Sequence, residues 1–534
     1  MMIRHLSNAF LLSLLSLAVC HADPRPNIVV ILADDMGFSD LGCYGGEIPT
    51  PHIDRLATNG LRFTQFYNTG RCCPTRASLL TGLYPHEAGV GHMVYRNRGP
   101  GYLGYLNDRC VTLAEVLKPA GYQTLMTGKW HVGHAAGQWP TDRGFERFYG
   151  IHIHIDSYFK VLRGCPVYHD RTLVLPPGPS PENTLHPDEE WYTTDVFTDW
   201  GLKFLDEANL EKPFFLYLAY NAPHWPLEAP EENIEHFKGK YLEGWDTLRE
   251  ERLQRLKDLK IVSTETQLPP SENAKWSELS ENDRRELDFR RAIYAAQIER
   301  LDQNVGRVIE KLGQMDALEN TLILFLSDNG CSNERGMFGL NWNKNKIANY
   351  DEWRTQSGRS VSQGQAWACA SNTPFRLYKR WVHEGGIATP LIAHWPAVIK
   401  QGGRLTHQVG HVVDIMATCR DVAQAENPES RAGRSLREQR GMSLVPTFKN
   451  PERTVPRELF WEHEQHAAIR RGHWKLVSKN AADEARWELY DMSGERSELN
   501  NLADDHPELV ESLKRAWTGW AREANALPFP KDRQ

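Results

Sequence analysis

The sequence predicts an α/β fold: a large mixed, mostly parallel sheet sandwiched by helices, followed by a smaller C-terminal α+β subdomain with an antiparallel sheet. Three observations carry this. Asn27–Ala33, Phe214–Tyr220 and Thr321–Ser327 are short, nearly continuous apolar runs rich in Val, Ile, Leu and aromatics, the pattern of strands buried on both faces. Between the last two, Leu301, Val305, Val308 and Leu312 recur along one face of a helix, and such alternation of strands and helices is the signature of an α/β sheet. Beyond about residue 425 the chain turns polar and then carries strand-like runs at Glu458–His463, Ala467–Arg470, Trp474–Val477 and Trp487–Tyr490, closed by a helical pattern over Pro507–Ala524.

Taken in order, residues 1–22 carry Arg4 and His5, an apolar run from Ala9 to Val19 and small residues suited to cleavage. This is the pattern of a secretory signal peptide, its core far shorter than the ~20 residues a bilayer span needs. The expected product is exported, periplasmic or extracellular, with no membrane span. Residues 23–425 form the expected catalytic body and 426–534 the C-terminal subdomain. From about Glu231 to Arg291 the chain is crowded with Glu, Arg and Lys, which reads as exposed helices inserted on the rim.

Composition excludes several classes of function. Of 534 residues 40% are hydrophobic and 25% charged, as in a folded globular protein. Lys and Arg number 62 against 69 Asp and Glu, a net charge of −7 that offers nucleic acid or anionic lipid no global attraction. After the leader, Cys43, Cys72, Cys73, Cys110, Cys165, Cys331, Cys369 and Cys419 remain. They could all pair, but neighbours such as Cys72 and Cys73 cannot bridge one another without severe strain, so at least one has another task. No CxxC pair is present to build a zinc site.

Asp34 and Asp35 directly follow the first apolar run, and Asp328 and Asn329 follow the third. Either pair alone reads equally as a helix cap beside a solvated neighbour. Together, two strand ends bearing four oxygen ligands favour one hard divalent cation, Ca²⁺ or else Mg²⁺, over zinc. In Arg71-Cys72-Cys73-Pro74-Thr75-Arg76 a cysteine stands just before a proline suited to the first turn of a helix, where backbone N–H groups favour a nucleophilic or anionic group.

This CxPxR segment followed by Thr81-Gly82, with the Asp34-Asp35 and Asp328-Asn329 strand ends, resembles the type I, formylglycine-dependent sulfatase family and its arylsulfatase branch. Further matches are Gly128-Lys129-Trp130-His131-Val132-Gly133, Asn221-Ala222-Pro223-His224, and Lys379 ahead of Glu384-Gly385-Gly386. The resemblance implies an alkaline-phosphatase/sulfatase-like fold and hydrolysis of sulfate monoesters, whether of aryl alcohols or carbohydrates. It also implies conversion of Cys72 to Cα-formylglycine by a maturation enzyme, with Asp34, Asp35, Asp328, Asn329 and modified Cys72 around the ion.

Roles follow by the same resemblance. Lys129, Lys379 and the metal neutralise the sulfate, while Arg76 orients the hydrated aldehyde. One hydroxyl of that diol, deprotonated with help from Asp328, attacks sulfur and forms a covalent sulfate. His224 protonates the departing oxygen; His131 then takes the proton of the second hydroxyl, so that sulfate is expelled and the aldehyde regenerated.

Two departures from the family pattern stand out. Ala388 occupies the arginine position of EGGxRxP, and His154 falls where a sulfate-touching serine is common. The stretch 341–370, with Trp342, Tyr350, Trp353 and Trp367, reads either as a substrate rim or, preferentially, as a loop pinned by its aromatics. Two rival readings are a phosphonate monoester or phosphodiester hydrolase of the same superfamily, and a catalytically silent glycan-binding protein on this fold.

Overall fold

The computed structural model describes residues 25–161, 164–175, 183–340, 361–482 and 486–530. The expected leader and Trp342, Tyr350 and Trp353 lie outside the described residues. The principal sheet comprises β1 (Asn27–Ala33), β2 (Leu61–Tyr67), β3 (Gln123–Lys129), β4 (Arg147–Ile151), β5 (Val167–His169), β6 (Thr172–Leu175), β7 (Phe214–Ala219), β8 (Thr321–Ser327), β9 (Ala388–His394), β10 (Arg404–Thr406) and β11 (Gly410–His411). Its order is β10-β2-β9-β8-β1-β7-β3-β4-β5-β6, with β11 also on β2.

The three apolar runs of the sequence are immediate neighbours at the sheet centre, β8-β1-β7, and all pair in parallel. Their lack of polar alternation has a direct cause. In β1, Val29, Ile31 and Ala33 enter the core on one face, and Ile28, Val30 and Leu32 the core on the other. Helices cover both faces, and each large aliphatic so buried stabilises the fold by about 2 kcal/mol. Parallel β3 lies on β7, whereas β9 runs antiparallel to both β8 and β2.

The predicted helical stripe lies on one 34-residue helix, Glu281–Gln314, started by Ser280, whose hydroxyl accepts from the Asp283 N–H. Leu301, Val305, Val308 and Leu312 are all buried on it. The expectation of exposed helices over 231–291 needs correction. Arg252, Arg290 and Arg291 are fully buried, and Arg252 and Arg291 grip Asp40 at 2.8 and 3.0 Å. Composition cannot separate a solvated arginine from one that finds a buried carboxylate across the fold.

The C-terminal segment opens with a two-stranded hairpin, β12 (Ser430–Arg431) and β13 (Arg434–Ser435). It continues as the antiparallel meander β14 (Glu458–His463), β15 (His466–Arg471), β16 (Trp474–Ser478) and β17 (Trp487–Asp491). The helix Pro507–Glu523 covers it, packing Leu513, Trp517 and Trp520 with Leu476 and Leu489. Buried ions tie this sheet to the body: Glu384 meets Lys475 at 2.9 Å and Arg496 at 2.9 Å. Beside this cluster Ala388 pairs with Tyr67, and the Arg470 guanidinium, carried by β15, lies 5.4 Å from the Tyr67 ring centroid. All eight cysteines among the described residues are free thiols.

Candidate active site

One edge of the sheet collects the chemistry because the strand directions oblige it to. β1, β8, β7 and β3 are parallel, so the residues after each emerge together: Asp34-Asp35, Asp328-Asn329, Asn221–His224 and, at the end of β3, Lys129. The register Ala33↔Ser327 sets the two acidic pairs side by side. Antiparallel β9 starts where its neighbours finish, which brings Lys379–Ile387 to the same edge. Tyr67, near the end of β2, pairs with Ala388, so the chain passes from there into the helix Cys72–Thr81 beside them. β1 is also where the chain order of the sheet turns to either side, the place at which open α/β sheets bind ligands.

The side chains are buried and densely charged. Asp34 accepts from Lys129 Nζ at 2.5 Å and lies 3.5 Å from Arg76. Arg76 holds Asp328 Oδ2 through Nε at 3.0 Å and Nη2 at 2.9 Å, and donates through Nη1 to Lys129 O at 2.7 Å. Asp35 Oδ1 accepts from Asn329 Nδ2 at 2.6 Å and meets Lys379 Nζ at 2.6 Å; its Oδ2 faces His224 Nε2 at 3.5 Å. Asp35 and His131 hold left-handed backbones, with φ of 68° and 59°, the kind of strain that clusters at working sites.

Burial would raise the pKa of Asp34, yet Lys129, His224 and Arg76 together hold it well below the carboxylate range. Asp328 is driven far above it by burial and by the charge of Asp34. The Cys72 thiol is held well below its ordinary value, first by the hydrogen bond from Cys73 and then, against burial, by Lys129 and His131. His131, pushed down to about 3 by burial and by Lys129, lies beside the Cys72 thiol, whose charge and hydrogen bond work the other way.

A cation fits this donor set. Asp34 Oδ1, Asp35 Oδ2 and Asn329 Oδ1 are buried acceptors without hydrogen-bond partners, a costly arrangement unless something positive meets them. Donor atoms of Asp34, Asp35 and His224 lie within 4.8 Å of one another. Oxygen ligands dominate, which suits a hard ion. The Cys72 thiol groups with Cys73 and His131, their ligand atoms within 4.8 Å of one another. Lys129 stands between the two groups, bonded to Asp34 and electrostatically coupled to Cys72.

His154 lies beside the site, its ring centroid 6.4 Å from that of His131. Both its nitrogens are engaged, Nδ1 with Tyr95 Oη at 3.1 Å and Nε2 with Asp156 at 3.2 Å. Trp367 packs inside, 5.4 Å from Trp245 and 5.6 Å from Trp276, as a pinning aromatic rather than a rim. Sequence reading missed Tyr158 and Glu228: Tyr158 reaches the His224 turn from more than sixty residues upstream, and Glu228, a few residues past His224, belongs to no recognisable motif.

The family model for sulfatases matches residues 26–425, and that for the C-terminal part of N-sulphoglucosamine sulphohydrolase matches residues 375–519. The chain belongs to the sulfatase family and is a sulfuric ester hydrolase. It is 34% identical to an uncharacterized sulfatase of Schizosaccharomyces pombe, over 95% of each chain. It is likewise 34% identical to the arylsulfatase of Klebsiella aerogenes, over 79% of this chain and 91% of the relative. The crystal structure of Ps i-CgsB in complex with k-i-k-neocarrahexaose superposes with a TM-score of 0.67 at 25% identity, over 93% of each chain. No helix among the described residues is long and apolar enough to cross a membrane.

Proposed function

We propose that this sulfatase cleaves sulfate monoesters of aryl or carbohydrate alcohols to the alcohol and inorganic sulfate in an exported, periplasmic or extracellular setting, using Cα-formylglycine made from Cys72 by a maturation enzyme. The observation that carries the reading is the pairing of two features. Three orphaned acceptors sit at adjacent strand ends, and beside them an acidified thiol opens a helix among cations. Asp34, Asp35, Asp328 and Asn329 would hold a divalent ion, Ca²⁺ before Mg²⁺, which supplies charge to neutralise the ester and to acidify the nucleophile. The hydrated aldehyde at position 72 supplies a nucleophile whose second hydroxyl lets sulfate leave by C–O cleavage, a route an ordinary serine lacks.

The chain's own residues do the rest. Lys129 and Lys379, both buried, present ammonium groups to the sulfate oxygens. Burial opposes the charge on Lys379, but Asp35 more than restores it, so it stays protonated across the physiological range. Arg76 is spent mainly on Asp328 and on the Lys129 carbonyl, and so fixes the floor against which position 72 is oriented. His131, a buried neutral imidazole beside position 72, is placed to take the proton of the second hydroxyl. His224 Nδ1 faces the Trp225 carbonyl at 2.5 Å and donates to it, so Nε2, turned to the site, holds the second proton of the imidazolium and gives that one to the leaving oxygen.

Mass spectrometry of the peptide containing position 72 tests this reading. We expect a loss of about 18 Da relative to cysteine, the difference between thiol and aldehyde side chains. An unmodified thiol in turning-over enzyme rejects the formylglycine route. In parallel, kcat/KM for 4-nitrophenyl sulfate should exceed that for the matching phosphonate monoester; the reverse order would make the chain a phosphonate hydrolase.

A further inference from the structure

We infer that Tyr158, braced by the carboxyl of Glu228, is a positioning residue that fixes where the His224 imidazole delivers its proton. This deepens the reading above and rests on His224 serving the leaving oxygen.

Tyr158 is fully buried and reaches the His224 segment from a loop more than sixty residues upstream. Its hydroxyl lies 2.9 Å from Asn221 O and 2.8 Å from His224 O, so one phenolic proton is shared between the two ends of the turn that carries the imidazole. The same turn is closed by His224 N–H donating to Asn221 O at 2.8 Å. With Nδ1 bound to the Trp225 carbonyl and the ring stacked on Trp225, the backbone of residues 221–225 largely sets where Nε2 points.

The other end of Tyr158 is equally fixed. Its N–H donates to Glu228 Oε2 at 2.5 Å, and the Ser157 hydroxyl donates to the same oxygen at 2.7 Å. Its carbonyl accepts from Thr193 N at 2.9 Å and Thr193 Oγ1 at 2.8 Å. The ring stacks on Tyr192 with centroids 5.4 Å apart. Glu228 stands on the same segment as His224, a few residues on. Tyr158 therefore spans that segment as a strut, bonded near its start through the hydroxyl and at its end through the N–H. Tyr158 and Glu228 bond to the His224 turn and not to Lys129 or Lys379, so the direct effect of the strut falls on the leaving-group side.

That confinement makes the inference testable. A proton delivered to the leaving oxygen matters little when the departing phenolate is stable and much when it is not. In Tyr158→Phe, kcat/KM for 4-nitrophenyl sulfate should stay within about twofold of wild type. For phenyl and 4-methoxyphenyl sulfate kcat should fall progressively, to about tenfold, with KM little changed, as expected for the loss of one buried hydrogen bond. Glu228→Gln should show the same trend at smaller size. The His224→Ala variant calibrates the series and should show the steepest dependence. If Tyr158→Phe loses activity equally on all three esters, or loses none, while His224→Ala retains its slope, the strut is overturned and the role of His224 survives. If His224→Ala itself shows no slope, the general-acid reading and the strut fall together.

Discussion

Two buried charge clusters stand only a few residues apart, one on Asp40 and one on Asp34 and Asp35, and they use their oxygens differently. Asp40 Oδ1 accepts from Arg252 at 2.8 Å and Arg291 at 3.0 Å, and Oδ2 accepts from Tyr294 at 2.7 Å and Gly37 N–H at 2.9 Å. Each oxygen is used twice. At the strand ends Asp34 Oδ1, Asp35 Oδ2 and Asn329 Oδ1 have no hydrogen-bond partner, although Lys129, Lys379 and Arg76 are close. Burial and charge are common to both clusters. What separates this site from the Asp40 network is that three left-over acceptors converge at adjacent strand ends, each costing about 1–3 kcal/mol unless a ligand meets it.

Five variants break or sharpen this contrast. The largest effect belongs to Cys72→Ala, which should lower sulfate release by about 10⁴-fold or more while circular dichroism and the thermal midpoint stay as in wild type. A cooperative loss of fold would show that position 72 is structural after all. Next, Asp35→Asn should cost about 10³-fold in kcat and abolish the rise in Tm that added Ca²⁺ gives the chelated wild type. Asp40→Asn should do the opposite, lowering stability by about 3–5 kcal/mol through the stranded arginines while leaving the Ca²⁺ response intact. Equal Ca²⁺ responses in the two variants would erase the distinction.

A third cluster supplies a pH test. Burial works against the charge of Glu384, but Lys475 and Arg496 hold its pKa at about 2, below the ordinary 4.5. Because the folded value is depressed, the stabilisation is complete above about pH 4.5 and is lost as pH falls towards 2. Glu384→Gln should therefore be less stable than wild type at neutral pH and lose less on acidification, read as Tm against pH; parallel curves would refute the pairing. The smallest effect is expected at His154. With both nitrogens engaged outside the sulfate site, His154→Ala should change kcat/KM for 4-nitrophenyl sulfate by less than about threefold, and a hundredfold fall would place it on the substrate.

The legibility of this chain varied with the range of the forces involved. Strands β1, β7 and β8 were readable because burial on both faces leaves no polar position, and β14 to β17 because short apolar runs between turns leave few alternatives. The CxPxR and GKWHxG segments were readable because each places its reactive groups within a few residues. The insertion over 231–291 was misread, since Arg252 and Arg291 look like surface charges until Asp40 is seen beneath them. Tyr158 and Glu228 left no trace for a similar reason: a hydroxyl meeting a carbonyl more than sixty residues away has no local pattern.

By itself, then, the sequence determined which residue types stand at which strand ends, and hence the chemistry on offer: carboxylates and an amide for a hard cation, lysines for an anion, and a cysteine at a helix start. Only the tertiary structure decided which of those groups are neutralised by neighbours and which are left with open valence. The reason is physical. Identity and periodicity are local properties of the chain, whereas satisfaction of a buried charge depends on partners that the pairing of β8, β1 and β7 brings together from hundreds of residues apart.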